Sequence, residues 1–401
     1  MDLDNVKLSI VGLGYVGYPL FKLFSKQFDC IGIDNNIKVI QRFQENESEQ
    51  GAFCNSLYTT DYVDIANCNI HIVTVPTPID RFNNPDITML KDVCVNLATS
   101  MKPGCIIIFE STVAPGTTDE ICIPLLEQYS GLKINADFHV GYSPERVNVG
   151  DIHHNTANTS KIISASSDYA LNVMYILYSA IIDAPIIKAT SIKVAEAAKM
   201  YENVQRDVLI ALANEYSNYC HSEGIDIKEV TACAATKWNF SNALPGLVGG
   251  HCIGVDPYYV IDRAQQNGLN LPLIRTAREV NEQSVIKSAY RFIHRVNNNL
   301  GNTKSLSLLV LGFSYKQDIG DIRNTKIAKF IELVTPEFSQ VNCFDPLVDK
   351  QAAKQEYDID VLTSLDELKP SYNVTIKMHN HTCFAALSVN SEQFYSLDQF
   401  L

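Results

Sequence analysis

The segment "VKLSIVGLGYVG" at 6–17 constrains the fold of this chain more than any other. A short β-branched run reads as a strand. Gly12, Gly14 and Gly17 follow in G-x-G-x-x-G spacing, with Tyr15 and Val16 between the last two, and an apolar helical pattern comes next. Strand, glycine turn and helix together open a βαβ unit, which requires a parallel sheet. Gly12 permits the tight turn, Gly14 lets a pyrophosphate approach the backbone, and Gly17 lets helix and strand pack closely. The free N–H groups at the helix start suit phosphate. Taken alone, the motif reads equally as a plain glycine turn.

The surroundings strengthen the phosphate reading. The second apolar run ends "IGIDNN", which places Asp34 twenty-two residues after Gly12. A carboxylate there accepts both ribose hydroxyls and repels a 2′-phosphate, favouring NAD over NADP. The alternative is that Asp34 caps the next helix. "VPTP" (75–78) and "ESTVAPGTT" (110–118) follow two more apolar runs. Ligands of open α/β sheets bind outside the carboxyl ends of the strands, so Thr77 and Thr112 are candidate cofactor contacts. Pro, Ser and Thr also favour ordinary turns, and these two positions stay open between the two uses.

The pattern continues along the chain. "DCIGI" (29–33), "IHIVTV" (70–75) and "CIIIFE" (105–110) are near-continuous apolar runs, as parallel strands covered on both faces require. They predict a doubly wound α/β domain over 1–185. Residues 191–222 contain no Gly or Pro, and small and apolar residues recur at three- and four-residue spacing. One helix of roughly 30 residues, about 45 Å long, is expected there. Its second apolar face offers a dimer surface. Shorter helices should complete a region over 186–300. After "NNNLGNTK" the alternation restarts with "SLSLLVLGF" (305–313), "NTKIAKFIELV" (324–334), "VNCFD" (341–345) and "YNVTIKM" (372–378). The expected fold is α/β: two Rossmann-like doubly wound domains, the second over 301–401, joined by a long central helix and a small helical domain.

Composition narrows the class. A chain of 401 residues is too long for one ordinary core. Its 46% hydrophobic and 19% charged residues fit a soluble globular protein. A formal net charge of −13 argues against broad binding of nucleic acid or anionic membrane. No segment reaches the roughly 18–20 apolar residues of a membrane span. "ALNVMYILYSAII" (170–182) is expected to be a buried helix. The acidic N-terminus lacks the features of a signal peptide, so a cytoplasmic protein is expected. The eleven cysteines are odd in number, scattered and without C-x-x-C spacing. That speaks against a disulfide framework or a structural zinc site, and most should be reduced, buried and inert.

One cysteine stands apart. In "LPGLVGGHCIGVDPYY" (244–259), Cys252 reads as a buried filler, a metal ligand or a nucleophile. Six motifs in order bear on the choice: "GLGYVG", "STVAPGTT", "SPER" (143–146), "EAAKMYENVQRD" (196–207), "GGHCIGVDPYY" (249–259) and "GFSYKQDIGDIRN" (312–324). Together they make the chain resemble the UDP-glucose/GDP-mannose dehydrogenase family over essentially its whole length. The form of the cysteine motif is similar to that of the branch acting on UDP-N-acetylhexosamines. The resemblance implies NAD-dependent four-electron oxidation of a sugar C6 alcohol to a carboxylate, for surface polysaccharide. UDP-glucose as substrate, a two-electron hydroxyacid-type dehydrogenase and a silent nucleotide-sugar sensor are the rivals.

Such chemistry needs a base for the C6 hydroxyl, a nucleophile that retains the aldehyde, and a base for hydrolysis. The resemblance implies Cys252 as the nucleophile, forming a thiohemiacetal and then a thioester. It implies Asp256 and Lys199 in proton transfer, and Glu145 as activator of the hydrolytic water. Lys199 and Asn203, four residues apart on one helix face, would stabilise a developing oxyanion. Arg206 would pair with substrate charge; Arg146, Val147 and Gly249 would line the sugar site. Tyr315 and Lys316 match residues that contact the nucleotide sugar, and Arg323 one that reaches the cofactor. His251 is expected to shape the pocket, and no metal is expected; "RTAREVNE" (275–282) adds Arg275 and Arg278 as further candidate cations for the diphosphate. In "AATKWNFSN", Lys237 or Trp238 stands where the family often carries an arginine from the neighbouring subunit. Val39, beside Lys38, replaces another family arginine. The expected partners are a UDP-N-acetylhexosamine and a second copy of the chain.

Overall fold

The structure, a computed structural model, describes residues 6–50, 57–147, 150 and 155–401. The chain forms two compact units, Met1–Tyr201 with Tyr258–Asn267, and Glu202–Pro257 with Gly268–Leu401.

The first unit carries an eight-stranded sheet. Its strands are β1 (Lys7–Val11), β2 (Asp29–Ile33), β3 (Leu57–Thr59), β4 (Ile70–Val73), β5 (Ile106–Phe109), β6 (His139–Tyr142), β7 (Lys161–Ala165) and β8 (Ile186–Lys188). The order is β3-β2-β1-β4-β5-β6-β7-β8. The first six follow the doubly wound Rossmann order, with the switch point between β1 and β4. All neighbours pair parallel except β6 and β7, which run antiparallel with Tyr142 opposite Ser164. The apolar runs are continuous because both faces are covered. In β5, Ile106 and Ile108 enter one core, while Ile107 and Phe109 enter the other. The period of two along a strand imposes this division.

The helix Asp168–Ser179 corrects the expectation for 170–182. It buries Ala170, Val173, Met174, Leu177 and Tyr178 but exposes Tyr169, Tyr175 and Ile176. An apolar run on a surface helix covers one face only, so this helix is half-buried. Among the described residues, no helix is long and apolar enough to cross a membrane.

The helix Ile192–Glu223 runs for 32 residues, as the missing breakers predict. It stops at Gly224, which takes the left-handed φ of +71°. The second unit holds another long helix, Pro272–Leu300, of 29 residues. Shorter helices were expected here. Pro272 sits in its first turn and Gly301 ends it, with no Gly or Pro between. Nothing in the sequence interrupts the helix, and burial of Ala277, Val285, Ala289, Phe292 and Val296 along one side sustains it.

The second sheet is entirely parallel, in the order β11-β10-β9-β12-β13. Its strands are β9 (Ser307–Leu311), β10 (Gln340–Phe344), β11 (Val361–Leu362), β12 (Tyr372–Lys377) and β13 (Ser391–Ser396). Thr325 caps the helix Lys326–Val334 by accepting from Ile327 N.

Candidate active site

Each glycine of the first loop has its own physical reason. Gly12 has a φ of +93°, and its N–H donates to the Ile33 carbonyl at 2.8 Å. A Cβ on Gly17 would lie 1.8 Å from the Gly12 carbonyl oxygen, so the helix can approach the strand only without one. A Cβ on Gly14 would meet nothing within 4 Å. Gly14 thus leaves an open backbone surface at the sheet's switch point, as a pyrophosphate requires. Tyr15 is exposed and Val16 half-buried beside it.

The carboxylate of Asp34 accepts from Leu13 N at 2.9 Å and from Asn36 N at 2.9 Å. The helix beginning at Ile37 takes its side-chain cap from Asn36, which accepts from Lys38 N at 3.0 Å. Asp34 is half-buried and clamps the glycine loop to the end of β2. A carboxylate has about four acceptor sites. Two are used, and the rest suit ribose hydroxyls. Open glycine backbone, helix start and carboxylate fit NAD.

Thr77 and Thr112 lie together beyond β4 and β5, Thr77 Oγ1 donating to the Thr112 carbonyl at 2.6 Å. Tyr259 Oη donates to the Thr77 carbonyl at 2.9 Å. Tyr259 lies inside the cysteine motif, and its tie to this loop is legible only in the structure. Val39 packs partly buried against the first core and Lys38 is exposed.

In the second unit, Gly249 and Gly250 receive Tyr315. A Cβ on Gly249 would lie 2.8 Å from Tyr315 Cβ and 2.9 Å from the Asn324 carbonyl oxygen. Gly250 has a φ of +78°, and a Cβ there would lie 2.7 Å from the Tyr315 ring. These glycines bring backbone against an aromatic ring. Cys252 is half-buried, and its carbonyl accepts from Val255 N at 3.0 Å and Asp256 N at 2.8 Å. That turn leads into the helix Asp256–Gln266. Asp256, 1% exposed, accepts from Asn203 Nδ2 at 2.6 Å. His251 Nδ1 stands 3.8 Å from Asp321. No group of three or more His, Cys, Asp or Glu able to hold a metal occurs among the described residues. Lys316 is half-buried. The Arg323 guanidinium lies along Asp321, Nη2 donating to Oδ2 at 2.6 Å. Arg206 and Lys237 are exposed and Arg275 is half-buried; Trp238 is 92% exposed. Arg278 is buried, donating to Asp207 Oδ1 at 2.6 Å and to Glu282, which gives it a structural partner set.

In the first unit, Lys199 is buried and its ammonium donates to the Glu145 carbonyl at 2.5 Å. Glu145 Oε1 accepts from Arg146 N at 2.8 Å and Val147 N at 2.6 Å. The Arg146 guanidinium donates to the Ser160 carbonyl at 3.0 Å. Beside Glu145 sit Lys161 and Tyr178, which no sequence motif marks, and Glu110, which opens "ESTVAPGTT" but has no assigned role there.

Among the other thiols, burial keeps Cys30, Cys68, Cys105 and Cys343 protonated. Burial pushes Cys68 up to about 11 and Cys105 up to about 12. Cys233 and Cys383 are exposed, and Cys54 lies outside the described residues.

A Rossmann sheet with a carboxylate at the end of its second strand, and a half-buried cysteine ahead of a buried aspartate held by an asparagine, fit a nicotinamide-dependent dehydrogenase. The chain belongs to the UDP-glucose/GDP-mannose dehydrogenase family, whose NAD binding domain matches residues 6–182, central domain 193–283 and UDP binding domain 309–397. It is 38% identical to the UDP-N-acetyl-D-glucosamine 6-dehydrogenase of Salmonella typhi, over 99% of this chain and 95% of that one. It is 40% identical to the Pseudomonas aeruginosa protein of the same name, over 89% and 86% of the two chains. Among solved structures, a UDP-D-ManNAc dehydrogenase from Pyrococcus horikoshii matches 96% of this chain and 91% of its own, with a TM-score of 0.83 at 29% identity.

Proposed function

We propose that the protein oxidises the C6 alcohol of a UDP-N-acetylhexosamine to the uronic acid in an NAD-dependent four-electron reaction, supplying surface polysaccharide. The observation that carries this is Cys252 in "GGHCIGVDPYY", four residues ahead of the buried Asp256, which accepts from Asn203. The two relatives bearing the UDP-N-acetyl-D-glucosamine name support the sugar class. Residues 1–185 hold NAD, 301–401 hold UDP, and 186–300 supply the surface of a cytoplasmic homodimer.

NAD, held by Gly12, Gly14, Tyr15, Val16, Gly17, Asp34, Thr77, Thr112 and Arg323, supplies the electron sink for both oxidations. Everything else falls to the side chains. Asp256, working with Lys199, takes the C6 hydroxyl proton, while the Lys199 ammonium with Asn203 stabilises negative charge developing on that oxygen. The Cys252 thiolate adds to the aldehyde and keeps it from escaping, so the second oxidation leaves a thioester. Glu145 takes a proton from the water that hydrolyses it. Arg206, Tyr315 and Lys316 bind the nucleotide sugar, while Arg146, Val147 and Gly249 line the sugar site.

Purified protein with NAD and a panel of UDP-sugars tests the proposal. Two NADH per sugar and an acid product are expected with UDP-N-acetylhexosamines. One NADH per sugar points to a two-electron dehydrogenase. Preference for UDP-glucose overturns the sugar class, and no turnover on the panel points to a sensor. Cys252→Ala should lose acid formation; full four-electron activity in it would sink the covalent mechanism.

A further inference from the structure

Where β5, β6 and β7 meet, three buried polar side chains surround Glu145. Glu110 follows the end of β5, Glu145 lies in the loop after β6, and Lys161 opens β7. Because β7 runs antiparallel to β6, its first residue lands at the edge where the other two strands end. Lys161 is 4% exposed and Glu110 1%. The Lys161 ammonium stands 2.5 Å from Glu110 Oε2 and 3.6 Å from Glu145 Oε2. Tyr178 Oη donates to the other oxygen of Glu110, and the ammonium lies 5.3 Å from the Tyr178 ring centroid.

A buried ion pair is weak evidence for stability, because well-packed apolar residues often do as well. The geometry here suggests another use. Glu145 Oε1 is occupied by the N–H groups of Arg146 and Val147, and Oε2 faces the ammonium. Both ends of the carboxylate are thereby set. Burial disfavours the Lys161 ammonium, but the two carboxylates outweigh it and raise its pKa, so the positive charge persists.

We infer that Lys161, clamped by Glu110 and Tyr178, is a positioning residue for Glu145, keeping that carboxylate oriented toward the hydrolytic water. The inference rests on the proposed role of Glu145. In the step concerned, the water oxygen bonds to the thioester carbon and gives a proton to Glu145. The C–S bond breaks, its electron pair leaves on the Cys252 sulfur, and no net oxidation occurs.

The experiment mixes full-length enzyme rapidly with NAD and UDP-N-acetyl-D-glucosamine. NADH is followed, and quenched protein is weighed intact. Lys161→Met should keep a burst of two NADH per site. Steady-state turnover should slow about tenfold or more, a share of the roughly 10²–10⁴-fold that a general base contributes. A UDP-sugar thioester on Cys252 should accumulate, and Lys161→Arg should largely restore turnover. A structural role would lower burst and turnover together and leave no adduct; that result, or wild-type turnover, overturns the inference. If Lys161→Met does not fold, the charge-balanced Glu110→Gln/Lys161→Met variant is read by the same criteria. Glu145→Gln separates the two levels. If it accumulates adduct and the Lys161 variants do not, the inference alone fails. If it accumulates none, the role of Glu145 fails and the inference with it.

Discussion

Gly14 and Gly17 lie three residues apart in one motif but respond differently to a methyl group. At Gly17 the added Cβ would sit 1.8 Å from backbone oxygen, so Gly17→Ala should disrupt the loop and lower the melting temperature. At Gly14 it meets nothing within 4 Å. Gly14→Ala should change stability by less than about 0.5 kcal/mol, as open surface substitutions do. Its KM for NAD should nonetheless rise clearly, measured beside an unchanged melting curve. Gly250→Ala belongs with the second unit: left-handed backbone and the Tyr315 ring both oppose the new Cβ. A raised KM for the UDP-sugar, with KM for NAD unchanged, is the expected result. The three positions look alike in sequence, since G-x-G-x-x-G and G-G state only that Cβ atoms are absent. What each missing Cβ would have struck depends on chain segments far away.

At the scale of elements, the long helix Ile192–Glu223 shows how a legible helix carries buried charges that were not legible. Glu196 accepts from Gly116 N at 2.5 Å and Thr118 N at 3.0 Å. Burial raises its pKa from 4.5 to about 7, despite these donors. The folded state therefore holds a proton between about pH 4.5 and pH 7 that the unfolded chain has released. Stability from this group falls as pH rises through that window and levels above it. Glu196→Gln should flatten that part of the profile, as thermal melts at several pH values would show. Further along, Asp207 meets Arg278 and Asn281 of the helix Pro272–Leu300. Arg278→Met leaves a buried carboxylate without its cation and should cost about 3–5 kcal/mol. Urea unfolding measures this, and adding Asp207→Asn should recover much of the loss. The motif "RTAREVNE" offered Arg278 as a ligand cation and gave no sign of Asp207, because a pairing across seventy-one residues leaves no mark in local spacing.

On the scale of the whole molecule, the two sheets repeat one device. Gly12 and Gly312 turn with φ of +93° and +96°. The next residue in each case, Leu13 or Phe313, donates its N–H to a carboxylate beyond the second strand, Asp34 at 2.9 Å or Asp345 at 2.8 Å. Asp345 is fully buried and also meets Ser314 N and His381, whereas Asp34 is half-exposed. The same clamp can meet ribose in the first sheet and is sealed in the second. One NAD per chain should therefore bind, which calorimetric titration would measure; two equivalent sites would contradict it. The restarted strand–helix alternation made the second sheet legible. Its two-residue β11 and its β13, like β6 and β8 in the first sheet, escaped because each is either two or three residues long or, as in "SEQFYS" and "HVGY", has too few apolar residues to read as a run.

Local pattern by itself determined the glycine loop, the central strands of both sheets and the helix Ile192–Glu223, while Cys252 was set apart only by the resemblance that six ordered motifs carry. Apolar runs, missing breakers and fixed spacings are properties of neighbours in the chain. Tertiary structure alone decided that Asn36 caps a helix while Asp34 holds a loop, that Tyr315 packs on two glycines, and that Glu110, Glu145, Lys161 and Tyr178 converge. These four residues meet because β7 reverses direction beside β6. Strand direction is chosen by how the whole sheet buries its faces, and no short stretch of sequence contains that sum.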